Sequence, residues 1–230
     1  ENQLLKEILP DGTIKKISFE GITISRSSPP ILDDTQIIAE ESEGLRGIKR
    51  DGKFGFIDKE GRLRIANRYE SISNFHNGLA AVKILGKWGF VDKQDKIAIN
   101  PSYEEVSDFL QDVTIVKRGN FGIINKDGNL VLDTRYDAIR QLKTQNFVVE
   151  NNNLKGLASK SGEILIDPRF DELEDLGNGF VIVKRENKYG LLSREGLSVI
   201  PMIYDHLEYL PLQQAYLVKE EAPWIKLSTK

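Results

Sequence analysis

Four aromatic residues stand immediately before a glycine in related triplets: Lys53-Phe54-Gly55, Lys87-Trp88-Gly89, Asn120-Phe121-Gly122 and Lys188-Tyr189-Gly190. Rings set out at intervals are side chains that can stack on sugars or bases. A second series follows a ring with an acid, in Tyr69-Glu70, Tyr103-Glu104, Tyr136-Asp137, Phe170-Asp171 and Tyr204-Asp205. Carboxylates at regular intervals suggest a row of cation sites. A hard cation takes about six or more converging oxygens, however, and each copy supplies a single carboxylate at this position. The simpler role is to accept backbone N–H bonds in the bend after the ring, or to pair with the series Lys49, Lys83, Lys117, Lys184 and Lys219. His76 and His206 fall at different phases of the pattern, without a cysteine or a shared carboxylate motif beside them, and read as surface residues. Phosphate loops, His-Glu-x-x-His and Gly-x-Ser-x-Gly motifs are missing from the sequence. No catalytic, cofactor-binding or metal-ligating residue is therefore assigned, and no cofactor is expected.

Whether the rings are free to stack depends on the elements that carry them. A two-residue turn at Leu85-Gly86 places Lys83 directly across a hairpin from Trp88. The same register pairs Lys49 with Phe54 and Lys184 with Tyr189, and Lys219 and Trp224 keep the spacing. Cross-strand neighbours contribute about 0.2–1 kcal/mol, and a lysine lying over an aromatic face suits the pair. Where the ring is missing, an acid and a lysine take the two positions: Lys155 falls opposite Glu150, and Glu20 opposite Lys15. An ion pair then replaces a cation–aromatic pair. A ligand-binding ring needs no such compensation, so packing is the expected role of the triplet.

Both series are phases of one repeat. Gly55, Gly89, Gly122, Gly156 and Gly190 lie 34, 33, 34 and 34 residues apart, and the rings from Tyr69 to Tyr204 keep the same spacings. A fixed period of this size marks a repeat architecture. The fullest copy runs from Gly78 to Phe109. Units fall at 44–77, 78–110, 111–144, 145–178 and 179–213, with a partial copy over 214–230. Residues 1–10 lie outside the pattern. Within 11–43, Gly21, Ile22 and Ile38 stand in phase with Gly55, Phe56 and Ile72, which marks 1–43 as an N-terminal segment carrying a diverged repeat. End units of such arrays are usually atypical. An unrelated hairpin plus linker is the alternative.

Short runs such as 80–84, 88–92 and 96–99 are rich in valine, isoleucine and aromatics and read as strands. Paired helices of similar period require longer stretches of 3.6-residue periodicity, whereas turn signals interrupt every 5–8 residues here. One turn is a two-residue connection at Asp51-Gly52, Leu85-Gly86, Asn152-Asn153 and Glu186-Asn187, shortened by one residue in the third unit. Glycine and asparagine tolerate the positive φ that tight hairpins require. The other turn begins with Asp, Asn or Ser and ends, at Gly61, Gly128, Gly162 and Gly196, with the glycine that a type I turn favours. Asp95 replaces it in the second unit. Each repeat is a three-stranded meander followed by an extended segment that carries the tyrosine. The expected fold is all-β, an open curved array of these units, with a closed propeller-like ring as the alternative.

The chain has 230 residues, 40% hydrophobic and 29% charged, with a formal net charge of −3. Interspersed charges argue against a nucleic-acid footprint, and no apolar run approaches the roughly 18 residues of a membrane span. There are no cysteines, so disulfides and thiolate metal sites are excluded. The sequence starts at Glu1 rather than Met, which implies removal of a leading segment, either a signal peptide or a deliberate truncation.

The pattern Gly-Leu-Ala-Ala-Val-Lys, then Gly-Lys-Trp-Gly-Phe-Val-Asp-Lys, then Asn-Pro and Tyr-Glu closely resembles the WG repeat, also called the KWG repeat. The match covers about 44–230 well and 11–43 weakly, and departs at Lys155 and Asp95. The resemblance implies a bacterial β-repeat array that serves as an interaction module, with no catalytic residue to carry over. It also implies a cell-envelope or secreted location, with the cytoplasm as the alternative. The expected function is a non-enzymatic scaffold for a protein partner. The competing reading is a carbohydrate or cell-wall binding module built on aromatic ladders. Exposure of Trp88, Tyr103 and Tyr189 discriminates: buried rings favour the scaffold, exposed coplanar rings a glycan.

Overall fold

The computed structural model describes residues 5–8, 14–17, 23–27, 35–220 and 222–228, with side chains over 35–219. The chain is all-β, built of repeated antiparallel sheets, none of which closes on itself. One turn of 3-10 helix, Pro211–Gln213, is the sole helical element among the described residues. The chain divides into two compact units. One comprises 1–118 and 124–129, the other 119–123 and 130–230.

In the first unit, Leu5–Ile8, Ile14–Ile17 and Thr23–Ser27 form a three-stranded antiparallel sheet. A four-stranded sheet follows in the order Gln36–Ile37, Leu45–Arg50, Lys53–Asp58, Leu63–Tyr69. The next is ordered Ser71–Ile72, Leu79–Ile84, Lys87–Asp92, Ile97–Tyr103. The second unit repeats the plan with Ala138–Gln141, Phe147–Asn151, Leu154–Ala158 and Ile164–Phe170, and again with Glu172–Asp175, Phe180–Arg185, Lys188–Ser193 and Ser198–Tyr204. It ends in three strands, His206–Leu210, Ala215–Glu220 and Ala222–Ser228.

The three-stranded meander expected of each repeat is present, and the segment after the tyrosine adds a fourth strand to the sheet that follows. Ser71 and Ile72 pair with Lys83 and Val82, and Glu172–Asp175 pairs with Val181–Lys184. This outer strand ties each repeat to its successor. It also shifts the eroded N-terminal correspondence by one residue: Ile37, rather than Ile38, pairs with Ile48 as Ile72 pairs with Val82. Gly21 and Glu20 lie outside the described residues, as do the side chains of Lys15 and Trp224, but the register sets Lys15 across from Arg26 rather than from the expected Glu20.

Both turn predictions hold. The two-residue connections carry positive φ at both positions, 51° and 74° at Asp51-Gly52 and 49° and 75° at Leu85-Gly86. That is the mirror-image type I hairpin, whose twist matches the strands. In the second turn the fourth residue donates its N–H to the first carbonyl, as Gly61 does to Asp58 at 3.0 Å. The Asp58 carboxylate takes the N–H groups of Glu60 and Arg62, and Asp92 and Asn125 do the same in their own turns.

Internal sheets are buried on both faces, which is why their strands read as unbroken apolar runs. Ala80, Val82 and Val91 pack against Phe56, Ile65 and Tyr69 of the preceding sheet. Their neighbours Leu79, Ala81 and Phe90 turn the other way, toward Phe109, Val116 and Ile124. In the second unit Val181, Val183 and Leu192 face Leu157 and Ile166, while Ile182 and Leu191 face Leu207, Tyr216 and Val218. Phe75 meets Phe56 edge-on at 4.9 Å, and Phe109 meets Phe90 likewise at 4.8 Å.

Candidate functional site

The triplets do what hairpin register demands. Lys83 pairs with Trp88, Lys49 with Phe54 and Lys184 with Tyr189. The ammonium groups lie 5.7, 5.4 and 5.1 Å from the ring centroids. On its other side each ring faces the tyrosine of the third strand, Tyr103, Tyr69 and Tyr204 respectively. The triplet rings are half-buried, and Tyr69, Tyr103, Tyr136 and Phe170 belong to the core. These rings do not form an exposed coplanar ladder.

Glu150 and Lys155 face each other as expected, but they do not form the expected ion pair. Lys155 Nζ instead donates to the Asp171 carbonyl at 2.9 Å. Lys155 stands opposite Phe170 on the third strand, and its stem reaches the bend just after that ring.

The triplet glycine, which marks the period in the sequence, has a steric role that the spacing alone does not show. A Cβ on Gly89 would lie 2.5 Å from the Ile99 carbonyl oxygen and 2.6 Å from Pro101 N; at Gly156 the values are 2.4 Å from Ile166 O and 2.6 Å from Pro168 N. A register shift in the third strand brings that backbone over the glycine. A recurrent glycine inside a strand is the signal that announces such an approach. Also missed were arginines beside the core tyrosines. Arg68 and Arg135 lie over Tyr69 and Tyr136 and donate to their hydroxyls. Where Ser102 takes that place, Arg118 covers Tyr103 and donates to the serine.

Glu70, Asp137 and Asp171 accept backbone N–H groups, though in the next hairpin rather than in the bend itself, while Glu104 and Asp205 meet Lys87 and Lys188. Glu70 takes Leu85 N and Gly86 N at 2.9 Å each. Asp137 takes Asn152 N at 2.7 Å, and Asp171 takes Glu186 N at 2.8 Å. The Gly86 N–H leads in holding Glu70 below the usual carboxylate range. The lysine series pairs one position later in the chain, Lys117 with Glu105 and Lys184 with Glu172. Asp95, the departure from the turn glycine, keeps a positive φ of 64° and holds Arg68 through both carboxylate oxygens. His76 is half-buried with Nε2 3.4 Å from Asp108, and His206 is exposed beside Tyr189. Among the described residues no group of three or more His, Asp and Glu side chains is placed to hold a metal ion.

An open groove lies within the second unit. About 910 Å³ in volume, it runs between the outer strands Glu172–Asp175 and His206–Leu210, with Leu173, Ile182, Val183 and Leu207 in its floor and Tyr189 and Tyr209 in its walls. Lys184 lies inside it, bonded to Glu172 at 2.9 Å and over the Tyr189 ring. Glu172 foremost, with Tyr189, holds that ammonium above the usual lysine range. At one end, burial pushes the Asp175 carboxyl up. Donation from Thr144, Asn146 and Gly177 outweighs that and leaves it below the ordinary aspartate range. Outer strands are sheet edges, with one row of N–H and C=O groups outside the ladder.

A family model described as the WG containing repeat matches residues 54–88, 88–120, 121–154 and 156–189. No curated protein matches the chain. Among solved structures, Hsv2 of Kluyveromyces lactis is similar at 8% identity and a TM-score of 0.38, over 100% of this chain and 83% of that one. A protein of unknown function from Bacteroides caccae is similar at 14% identity and a TM-score of 0.31, over 87% and 93%.

Proposed function

We propose that this chain, which belongs to the WG containing repeat family, is a non-enzymatic scaffold that binds a protein partner. The observation that carries the reading is the groove between Glu172–Asp175 and His206–Leu210, an apolar floor bounded by two strand edges. Extended peptides are recognised at such edges, where main-chain bonds supply affinity and side-chain pockets supply specificity. The glycan reading requires free ring faces. Lysines over Phe54, Trp88 and Tyr189 and the burial of Tyr103 weigh against it. The test is a selection of displayed random peptides on the immobilised full chain, in parallel with a glycan array. Enrichment of peptides that compete with one another for one site is the expected result. Glycan binding with no enriched peptide overturns the scaffold reading.

A further inference from the structure

The groove's charge is not set by the repeat. In the pairing slot two residues past the start of each outer strand stand Ile38, Ser73, Ser107, Arg140, Glu174 and Glu208, the first three just beyond the strand's last residue. The fold therefore accepts a hydroxyl or a guanidinium where the last two copies place carboxylates. Glu174 and Glu208 are exposed, line the same groove, and enter no ion pair among the described residues. With Glu172 and Asp175 they set four carboxylates against one lysine, Lys184, among the groove's lining residues. The neighbouring carboxylates are already engaged, Glu172 by Lys184 and Asp175 by Thr144 and Asn146. Among the described residues, the groove carboxylates that enter no ion pair or side-chain hydrogen bond are thus Glu174 and Glu208. Lys184 itself shows how this surface receives an ammonium, between a carboxylate and a tyrosine face.

We infer that the groove takes an extended, lysine- or arginine-rich segment of a protein partner, its cations meeting Glu174 and Glu208 and its apolar side chains the floor at Leu173 and Leu207. The inference rests on the scaffold reading above. Alternation suits it, because successive side chains of an extended strand point to opposite sides. Complementary charge at an exposed rim sets partner choice and association rate more than total affinity.

The test titrates the full chain into three fluorescein-labelled octapeptides, alternating valine with lysine, with serine or with glutamate, and reads anisotropy. The lysine peptide is expected to bind at least about tenfold more tightly than the serine peptide, and the glutamate peptide more weakly still. Glu174→Gln with Glu208→Gln should cost about tenfold for the lysine peptide alone. Removing two exposed carboxylates elsewhere in the unit, Asp133→Asn with Glu163→Gln, should leave binding unchanged. Glu174→Lys with Glu208→Lys should turn the preference toward the glutamate peptide. Equal losses in the groove and control pairs, or none in the groove pair, overturn the inference. If all three peptides bind alike, a protein-binding scaffold survives and the basic partner does not. Glycan binding without peptide binding removes both.

Discussion

The residue that distinguishes these repeats most sharply is the glycine of the triplet, because its role is steric. At Gly156 a methyl group would overlap the Ile166 carbonyl and Pro168 N, whereas at Gly190 the nearest atoms lie 3.0 Å away. Overpacking against backbone cannot be relieved by a rotamer change. Gly156→Ala should therefore cost about 3 kcal/mol and Gly190→Ala about 1 kcal/mol, read from urea midpoints. Equal costs at the two sites would show that the third strand yields. The pair that breaks the signature makes a second prediction at this scale. Since Lys155 bonds the Asp171 carbonyl rather than Glu150, Glu150→Ala should change stability by less than about 0.5 kcal/mol. Lys155→Ala should cost about 1 kcal/mol. A double-mutant cycle should return a coupling near zero. A coupling of about 1 kcal/mol would restore the ion pair that the sequence suggested.

At the scale of elements, the outer strand and the acid before it join one repeat to the next, and carboxylates at these joints make stability depend on pH. Asp175, on the outer strand of one sheet, binds Thr144 and the buried Asn146 of the loop between Ala138–Gln141 and Phe147–Asn151 in the preceding sheet, and its carboxyl lies below the ordinary range despite the upward push of burial. A depressed carboxyl contributes stability that is complete above its unfolded value, near 3.9 for aspartate. That contribution is lost as pH falls through the lower folded value. Asp175→Asn should flatten the decline in the urea midpoint as pH falls below about 4. Asp175→Ala should also cost about 1–3 kcal/mol at pH 7 by leaving the Asn146 amide unpaired. An unchanged acid limb in the Asn variant would assign the decline to other carboxylates. What was legible in the sequence follows the same division. The hairpins were legible, since Leu85-Gly86 and Asn152-Asn153 set their own φ. The Lys83–Trp88 register followed from the turn alone. The fourth strand was not, because Ser71 and Ile72 pair with residues of the next copy. The groove was illegible for the same reason: it exists only once Glu172–Asp175 and His206–Leu210 are both in place. Its one trace in sequence is the change from Ser73, Ser107 and Arg140 to Glu174 and Glu208.

At the scale of the whole molecule, each unit holds cores built from adjacent sheets. Phe75 joins Phe56, Ile65 and Val82 in one core of the first unit, while Leu207, Tyr216 and Val218 build another in the second with Ile182 and Leu191. No residue is common to the two clusters. In such arrays stability approximates a sum of repeat terms and neighbour interfaces rather than one indivisible quantity. A large-to-small change in one core then lowers the opening energy of its own sheets first. Phe75→Ala removes a ring that packs edge-on against Phe56 and should cost about 3–5 kcal/mol locally. Hydrogen exchange read by mass spectrometry should show lost protection in Leu45–Arg50, Lys53–Asp58 and Leu79–Ile84, with Phe180–Arg185 and Lys188–Ser193 unaltered. Leu207→Ala should give the reverse pattern. Uniform loss across the chain in either variant would mean that the two cores unfold together, and that the energy of the interfaces exceeds that of the repeats they join.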